Sequence, residues 1–267
     1  MGTHEISPPK ELKDSSGLIV GGTAGIGLAT AVGLAQAGAP RILIVGRGAE
    51  RGEAAREHIS SVNSACDVIF LSADATTVDG AAHIASEAER ILDGVDILVS
   101  TTAADVRPEL FANIPTDDIA RTFNQLALPC MYLASEIVPH MTARKGGVII
   151  NVASDAGKTA TPGESVIGAA KAAIIMFTRT LAIEAKRSGI RANVLTPSLV
   201  NGTASTERIT SDGFSAKLFA KAAQQAHLGV PESDDIAALA VFLASPAARR
   251  LTGQASDDNV VPMKGRA

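Results

Sequence analysis

Short, largely apolar runs recur along this chain, each followed by a longer stretch in which apolar residues return at helical spacing. The runs at 18–20, 41–45, 68–71, 95–99, 147–152 and 190–195 are strand-length and predict buried strands. The stretches at 25–38, 49–61, 78–92, 117–141 and 164–186 predict helices. In the first, Ile26, Ala29, Thr30, Gly33 and Leu34 keep helical spacing, and Gly38 supplies a C-cap. The segment 198–227 breaks the alternation. It is rich in Thr, Ser and Ala, with Phe214, Leu218 and Phe219 at helical spacing. A helix after Pro231 and a last strand over 255–261 complete the pattern. Strands alternating with helices, and apolar along most of their length, predict an α/β fold with a parallel sheet covered on both faces. No break in composition divides residues 17–267, so one domain is expected. Residues 1–16 are polar, contain Pro8 and Pro9, and predict a flexible leader without the apolar core of a secretory signal.

Composition narrows the function classes. At 267 residues, 46% hydrophobic and 19% charged, the chain has the length and balance of an ordinary globular protein with a substantial core. The net charge of −4 and the lack of a Lys/Arg cluster argue against nucleic acid as a partner. No unbroken apolar run reaches the roughly 18 residues of a membrane span. Cys66 and Cys130 are far apart and predict buried free thiols in a reducing, cytoplasmic setting. His4, His58, His83, His140 and His227 form no metal-ligand spacing, so no metal site is expected. With no Trp and Tyr132 as the sole Tyr, stacking platforms for bases or sugars are scarce.

The densest chemical signal is Gly21, Gly22, Thr23, Ala24, Gly25, Ile26 and Gly27, set between the first strand and the first helix. Glycines there let backbone approach a pyrophosphate, and the helix start offers free N–H groups and a positive dipole end. A nicotinamide dinucleotide with a free ribose diol usually meets an acidic residue about 20 positions on. Here that place reads Val45, Gly46, Arg47. Gly46 has no carboxylate to repel a phosphate, and Arg47 has the fork of donors to pair with one. NADP(H) is therefore favoured over NAD(H).

With these pieces in place, the chain from about Gly17 onward resembles the short-chain dehydrogenase/reductase family. Asp74 after the third strand is similar to that family's adenine-contacting aspartate. Asn124, Ser154 and Lys171 match three members of its catalytic set. Thr196, Pro197, Ser198 and Thr203 resemble its cofactor-side turn and threonine, and Thr252, Gly253 and Gln254 its C-terminal signature. The resemblance implies a Rossmann-type doubly wound sheet, with a dinucleotide bound by Gly21, Thr23, Gly25, Ile26, Gly27, Arg47, Asp74, Lys171 and Thr203. It also implies a carbonyl or alcohol substrate covered by 198–227. The two long helices, 117–141 and 164–186, are the family's oligomer contacts, and Leu126, Leu128, Met131, Leu133, Ile174, Ile175, Phe177 and Leu181 supply their apolar content.

The departures gather at the nicotinamide end. The family's tyrosine, four residues before the lysine, is here Ile167. Its Asn-Asn-Ala-Gly segment is Ser100, Thr101, Thr102 and Ala103, and the first Thr of its glycine-rich turn is Val20. In the family that Thr and that segment brace each other across adjacent strands, and Ala103 adds a Cβ where backbone passes close to the cofactor. Isoleucine can neither give nor take the proton, a service worth about 10²–10⁴-fold in rate. Tyr132 lies about 12 Å along the helix from Asn124 and is expected in packing. Asp155 and Ser165 are near the site in sequence, and Glu164 reads as a helix-start acid favoured by the dipole. The leading expectation is a subunit that is weak or inert alone, paired with an active paralogue in a hetero-oligomer. The alternatives are an active NADP(H)-dependent carbonyl or alcohol oxidoreductase with an altered proton relay, and a non-redox isomerase, cyclase or ligand-binding protein that uses Ile167 as an apolar wall.

Overall fold

Alternate residues of a strand point to opposite faces of its sheet, and here both faces are buried. The computed structural model describes residues 7–211 and 213–257. In chain order the elements are β1 (Ser16–Val20), α1 (Gly25–Gln36), β2 (Arg41–Gly46), α2 (Ala49–Val62), β3 (Asp67–Ser72), α3 (Val78–Leu92) and β4 (Ile97–Ser100). There follow α4 (Thr116–Leu126), α5 (Leu128–Ala143), β5 (Gly147–Val152), α6 (Ser165–Ala185), β6 (Ile190–Leu195), α7 (Ala204–Thr210), α8 (Gly213–Gln225), α9 (Ser233–Ala244) and β7 (Ala255–Ser256). The strands form one parallel sheet in the order β3-β2-β1-β4-β5-β6-β7. This is the doubly wound arrangement that the alternating pattern predicts.

Leu18, Val20, Leu43, Val45, Leu98 and Ile149 meet α3, α5 and α6 on one face. Ile19, Ile42, Ile44, Val99 and Ile150 meet α1, α2 and α9 on the other. The last helix lies on the first: a Cβ on Gly33 would stand 2.9 Å from Val241 Cγ2, so the missing side chain sets how closely α9 packs on α1. Arg191 sits inside β6, 8% exposed, and its guanidinium donates to the carbonyls of Leu243 (2.6 Å), Ala244 (3.2 Å) and Ser245 (3.3 Å) at the end of α9.

The structure corrects one sequence expectation and bears on two others. The helix expected over 117–141 is two helices, α4 and α5, broken at Ala127. Pro129 lacks the N–H that would reach back to Gln125, so the helical ladder misses one bond at the break. The strand expected over 255–261 is described only as Ala255–Ser256, and residues 258–267 lie outside the described residues. The stretch Ser165–Ser188, with mean hydropathy 1.6, has the length and composition to cross a membrane, which a count of unbroken apolar runs did not reveal. Ala170, Ile174, Leu181 and Ala182 place its inner side in the core against the sheet.

Residues 1–6 of the expected leader lie outside the described residues. Further along, Ser7 N–H donates to Lys145 O at 3.1 Å, Lys10 Nζ pairs with Asp96 at 2.7 Å, and β1 begins at Ser16. In the segment 198–227, α7 and α8 form a cover. Phe219 is buried there with Leu199 and Ala222, while the side chains of Phe214 and Leu218 are not described.

Candidate active site

The loops that leave the C-terminal ends of β1 to β6 converge on one cavity of about 430 Å³. It lies where the chain crosses from the edge strand β3 to β4 beside β1, the switch point at which open parallel sheets bind ligands.

At one end stands the glycine-rich turn. Gly21 has φ +83°, and a Cβ there would lie 2.5 Å from Thr101 Oγ1 and 2.8 Å from Thr101 O. A Cβ on Gly27 would lie 2.3 Å from Gly21 O, so only glycine lets the helix start close on the turn. No side chain caps α1, whose N-cap is Ala24. The N–H groups of Gly25, Ile26 and Gly27 have no partner within the helix, and these residues line the cavity with Thr23. Backbone donors at an uncapped helix start, with no Cβ to bar approach, fit a pyrophosphate. Gly46 has a positive role that the sequence did not reveal: a Cβ on it would meet Thr23 Cγ2 at 2.7 Å.

Next along the cavity come Arg47, Arg51 and Asp74. Burial opposes the charge on Asp74, yet the Thr76 N–H at 2.9 Å, the Thr76 hydroxyl and the Arg47 charge together hold its carboxyl below the usual value. Arg51, in the first turn of α2, is a lining residue that sequence reasoning missed. Its signal was the spacing of four from Arg47.

The Val20 and Thr101 substitutions are structurally paired. Thr101 donates both its N–H (2.9 Å) and its hydroxyl (3.0 Å) to Val20 O. The brace between adjacent strands is thus supplied from the β4 side. Ala103 is exposed on the cavity rim, so its Cβ is accommodated.

At the far end, Ser154 and Lys171 line the cavity together. Ser154 Oγ accepts from Ala156 N–H at 3.3 Å and caps the short 3₁₀ turn Asp155–Gly157. Two glycines seat this turn on α6. A Cβ on Gly168 would lie 2.6 Å from Ala156 O, and one on Gly157 would lie 2.8 Å from Ala172 N. Asp155 is buried and accepts from the Thr159 hydroxyl at 3.0 Å. Burial pushes the Lys171 ammonium down to about 8, against the opposing influence of Cys130 and Glu164.

Two expected residues stand apart. Asn124 lies on α4 but does not line the cavity, whereas its neighbours Gln125 and Leu126 do. Ile167 is not a wall of the cavity: its side chain packs on the cluster of Leu126, Ala127, Cys130 and Ala170. Tyr132 packs on the core and takes no part in the lining. Glu164, read from sequence as a helix-start acid, makes no capping bond to α6, and it lines the cavity beside Thr161 and Lys171. Burial first, then the Asp155 charge, raise its carboxyl to about 7, with Lys171 and the Thr161 hydroxyl opposing.

The cover forms one side of the cavity. Thr203 lines it and caps α7, accepting from Thr206 N–H at 3.2 Å. Arg208 on α7 donates to Ala104 O at 2.8 Å and pairs with Asp105 at 3.2 Å. Among the described residues no group of His, Cys, Asp and Glu is arranged to hold a metal ion.

Residues 17–213 match the family described as short chain dehydrogenase. The 7alpha-hydroxysteroid dehydrogenase of Bacteroides fragilis is 30% identical over 241 residues, which cover 89% of this chain and 90% of that protein. The D-beta-hydroxybutyrate dehydrogenase of Cupriavidus necator is 31% identical over 258 residues, 91% of this chain and 95% of that one. Among solved structures, L-sorbose reductase from Gluconobacter frateurii, complexed with NADPH and L-sorbose, superposes with a TM-score of 0.85 at 26% identity, covering 96% of this chain and 99% of its own. A 7 alpha-hydroxysteroid dehydrogenase complexed with NADH and 7-oxo glycochenodeoxycholic acid gives 0.85 at 25% identity, covering 93% and 94%.

Proposed function

The chain belongs to the short chain dehydrogenase family, and from that premise we propose that it is an NADP(H)-dependent oxidoreductase acting on a carbonyl or alcohol. The observation that carries this reading is the continuity of the cavity, from the glycine-rich turn past Arg47 and Asp74 to Ser154 and Lys171. We set it ahead of the inert-subunit reading because Ile167 packs on the core cluster and leaves that cavity open.

In this reading Gly21, Thr23, Gly25, Ile26 and Gly27 hold the pyrophosphate through backbone donors. Arg47 and Arg51 receive the 2′-phosphate. Asp74 meets the adenine, Lys171 the nicotinamide ribose, and Thr203 the nicotinamide side from the cover. Bound there, the dinucleotide supplies or accepts the hydride. Ser154 donates a hydrogen bond that polarises the substrate oxygen, and the cover excludes water. Asn124 acts from behind the wall through α4. The domain runs over 17–267, with 198–227 as the substrate-covering segment. The relatives named above act on hydroxysteroids, a hydroxy acid and a sugar, and a secondary alcohol with its ketone is the substrate class they share. Buried thiols at Cys66 and Cys130 suit a reducing, cytoplasmic setting. Copies associate through the outward side of α6, where Met176 and Ile183 are 61% and 67% exposed.

Calorimetric titration of the purified chain with NADPH and NADH tests the cofactor assignment. NADPH is expected to bind more tightly, and Arg47→Ala to weaken it by about 10–100-fold, the worth of a charge-assisted bond. NADH affinity should change little. Equal affinity for the two cofactors, or an Arg47→Ala variant that keeps the preference, would remove the phosphate-reading role.

A further inference from the structure

A carbonyl that receives a hydride must also receive a proton on oxygen, and Ile167 has none to give. The proton source must reach the same end of the cavity as Ser154 and Lys171. The carboxyls that line the cavity are Asp74, Asp105, Asp155 and Glu164, and Thr161 lines it beside Glu164. Asp74 feels the Arg47 charge at the other end, and Asp105 pairs with Arg208. Thr161 is an alcohol and holds its proton too firmly. Asp155 is engaged by the Thr159 hydroxyl in the turn that carries Ser154. Glu164 makes no capping bond to α6, accepts from the Thr161 hydroxyl, and is the lining carboxyl that burial and the Asp155 charge favour in its protonated form.

Glu164 and Lys171 both line this end of the cavity. Glu164 is the N-cap of α6 and Lys171 lies close to two turns on, so the two stand on one side of the helix about 10 Å apart along its axis. Gly168 lies between them with no side chain, and Lys171 leans toward the helix start as helical side chains do. Each of the two groups feels the other's charge. On this basis we infer that Glu164 is the catalytic proton donor and acceptor of this site, in the role that the family's tyrosine fills elsewhere.

This inference rests on the oxidoreductase reading above. In the reducing direction, the hydride forms the new C–H bond and the carbonyl π pair moves to oxygen. The oxygen takes the proton of the Glu164 carboxyl: one O–H bond breaks, the alcohol O–H forms, and a carboxylate remains. Lys171 stabilises that carboxylate, and water reprotonates it after the alcohol leaves. Oxidation runs the same steps backwards, with the carboxylate taking the alcohol proton. A carboxyl whose value burial and Asp155 raise to about 7 can hold a proton near neutrality and also release it. The charged groups facing it are Asp155 on the turn and Lys171 on α6. Lys158, in the same turn region, pairs with Asp257.

The test uses the full chain labelled with ¹³C at the glutamate carboxyls, as wild type, Glu164→Gln and Glu164→Asp. Carbon NMR from pH 5 to 9 follows each carboxyl. NADPH oxidation by diacetyl, an activated dicarbonyl, follows turnover, and calorimetry follows NADPH affinity. The expected result is one carboxyl titrating near pH 7 that is missing from Glu164→Gln. Diacetyl reduction in that variant should fall by about 10²–10⁴-fold with NADPH affinity unchanged. Glu164→Asp should regain part of the rate, and wild-type reduction should decline as pH rises through 7. Glutamates that all titrate in the ordinary carboxyl range overturn the inference, whatever the activity. So does a Glu164→Gln variant that reduces diacetyl as fast as wild type, which leaves the oxidoreductase reading standing. A wild-type chain that leaves NADPH unoxidised overturns that reading itself, and the inference falls with it.

Discussion

Glu164 affects stability as well as chemistry. Its folded-state carboxyl value lies near 7 against an ordinary 4.5, so between those values the folded chain holds a proton that the unfolded chain releases. Stability therefore falls as pH rises through that window. Lys171 titrates at about 8 in place of 10.5 and leaves the window undisturbed. Glu164→Gln removes the dependence. In scanning calorimetry its Tm is expected to rise relative to wild type from pH 5 to pH 8, and parallel curves for the two proteins would contradict this. The sequence made Ser154, Lys171, Arg47 and the glycine-rich turn legible, because each sits in a short local pattern. Glu164 escaped because it lies seven residues from Lys171, where no motif looks. The lack of side chains at Gly157 and Gly168, which seats the serine turn on α6, is invisible without the partner backbone. Asn124 shows the reverse: it matches a motif and yet does not line the cavity.

Strands were the most legible elements: β2 and β3 are apolar runs with polar first residues, and β5 and β6 stay largely apolar around Asn151, Arg191 and Asn193. Helix α3 also follows its expected bounds, helped by the Thr77 side chain that accepts from Gly80 N–H. The break at Ala127 was missed because apolar spacing continues across it, while Pro129 removes one bond of the ladder there. Element ends also depend on groups far away in sequence. The last carbonyls of α9 are capped by Arg191 from inside β6, where its positive charge also suits the negative end of the helix dipole. Arg191→Met keeps the apolar stem and leaves two buried carbonyls and one part-buried carbonyl without that donor. It is expected to cost roughly 2–3 kcal/mol in urea unfolding. A loss under about 0.5 kcal/mol, the range of ordinary surface substitutions, would show that water replaces the guanidinium.

For the molecule as a whole, burial sorts the residues first considered for oligomer contact. Leu126, Leu133, Ile174, Ile175 and Leu181 are buried within this chain's own core and have no apolar surface left to offer. Met176 and Ile183, seven apart on α6, are the large apolar groups that this helix leaves at the surface. If copies associate there, Met176→Glu with Ile183→Glu is expected to lower the sedimenting mass without unfolding the chain. An unchanged mass would place the contact elsewhere. The packing of α9 on α1 has a further consequence, in the order in which a ribosome delivers the chain. The glycine-rich turn is among the first segments to emerge, yet the helix it opens is covered only when residues up to Ala244 have followed. The phosphate end thus waits for nearly the whole chain, and a nascent fragment with every residue of the dinucleotide turn still lacks the helix that supports it.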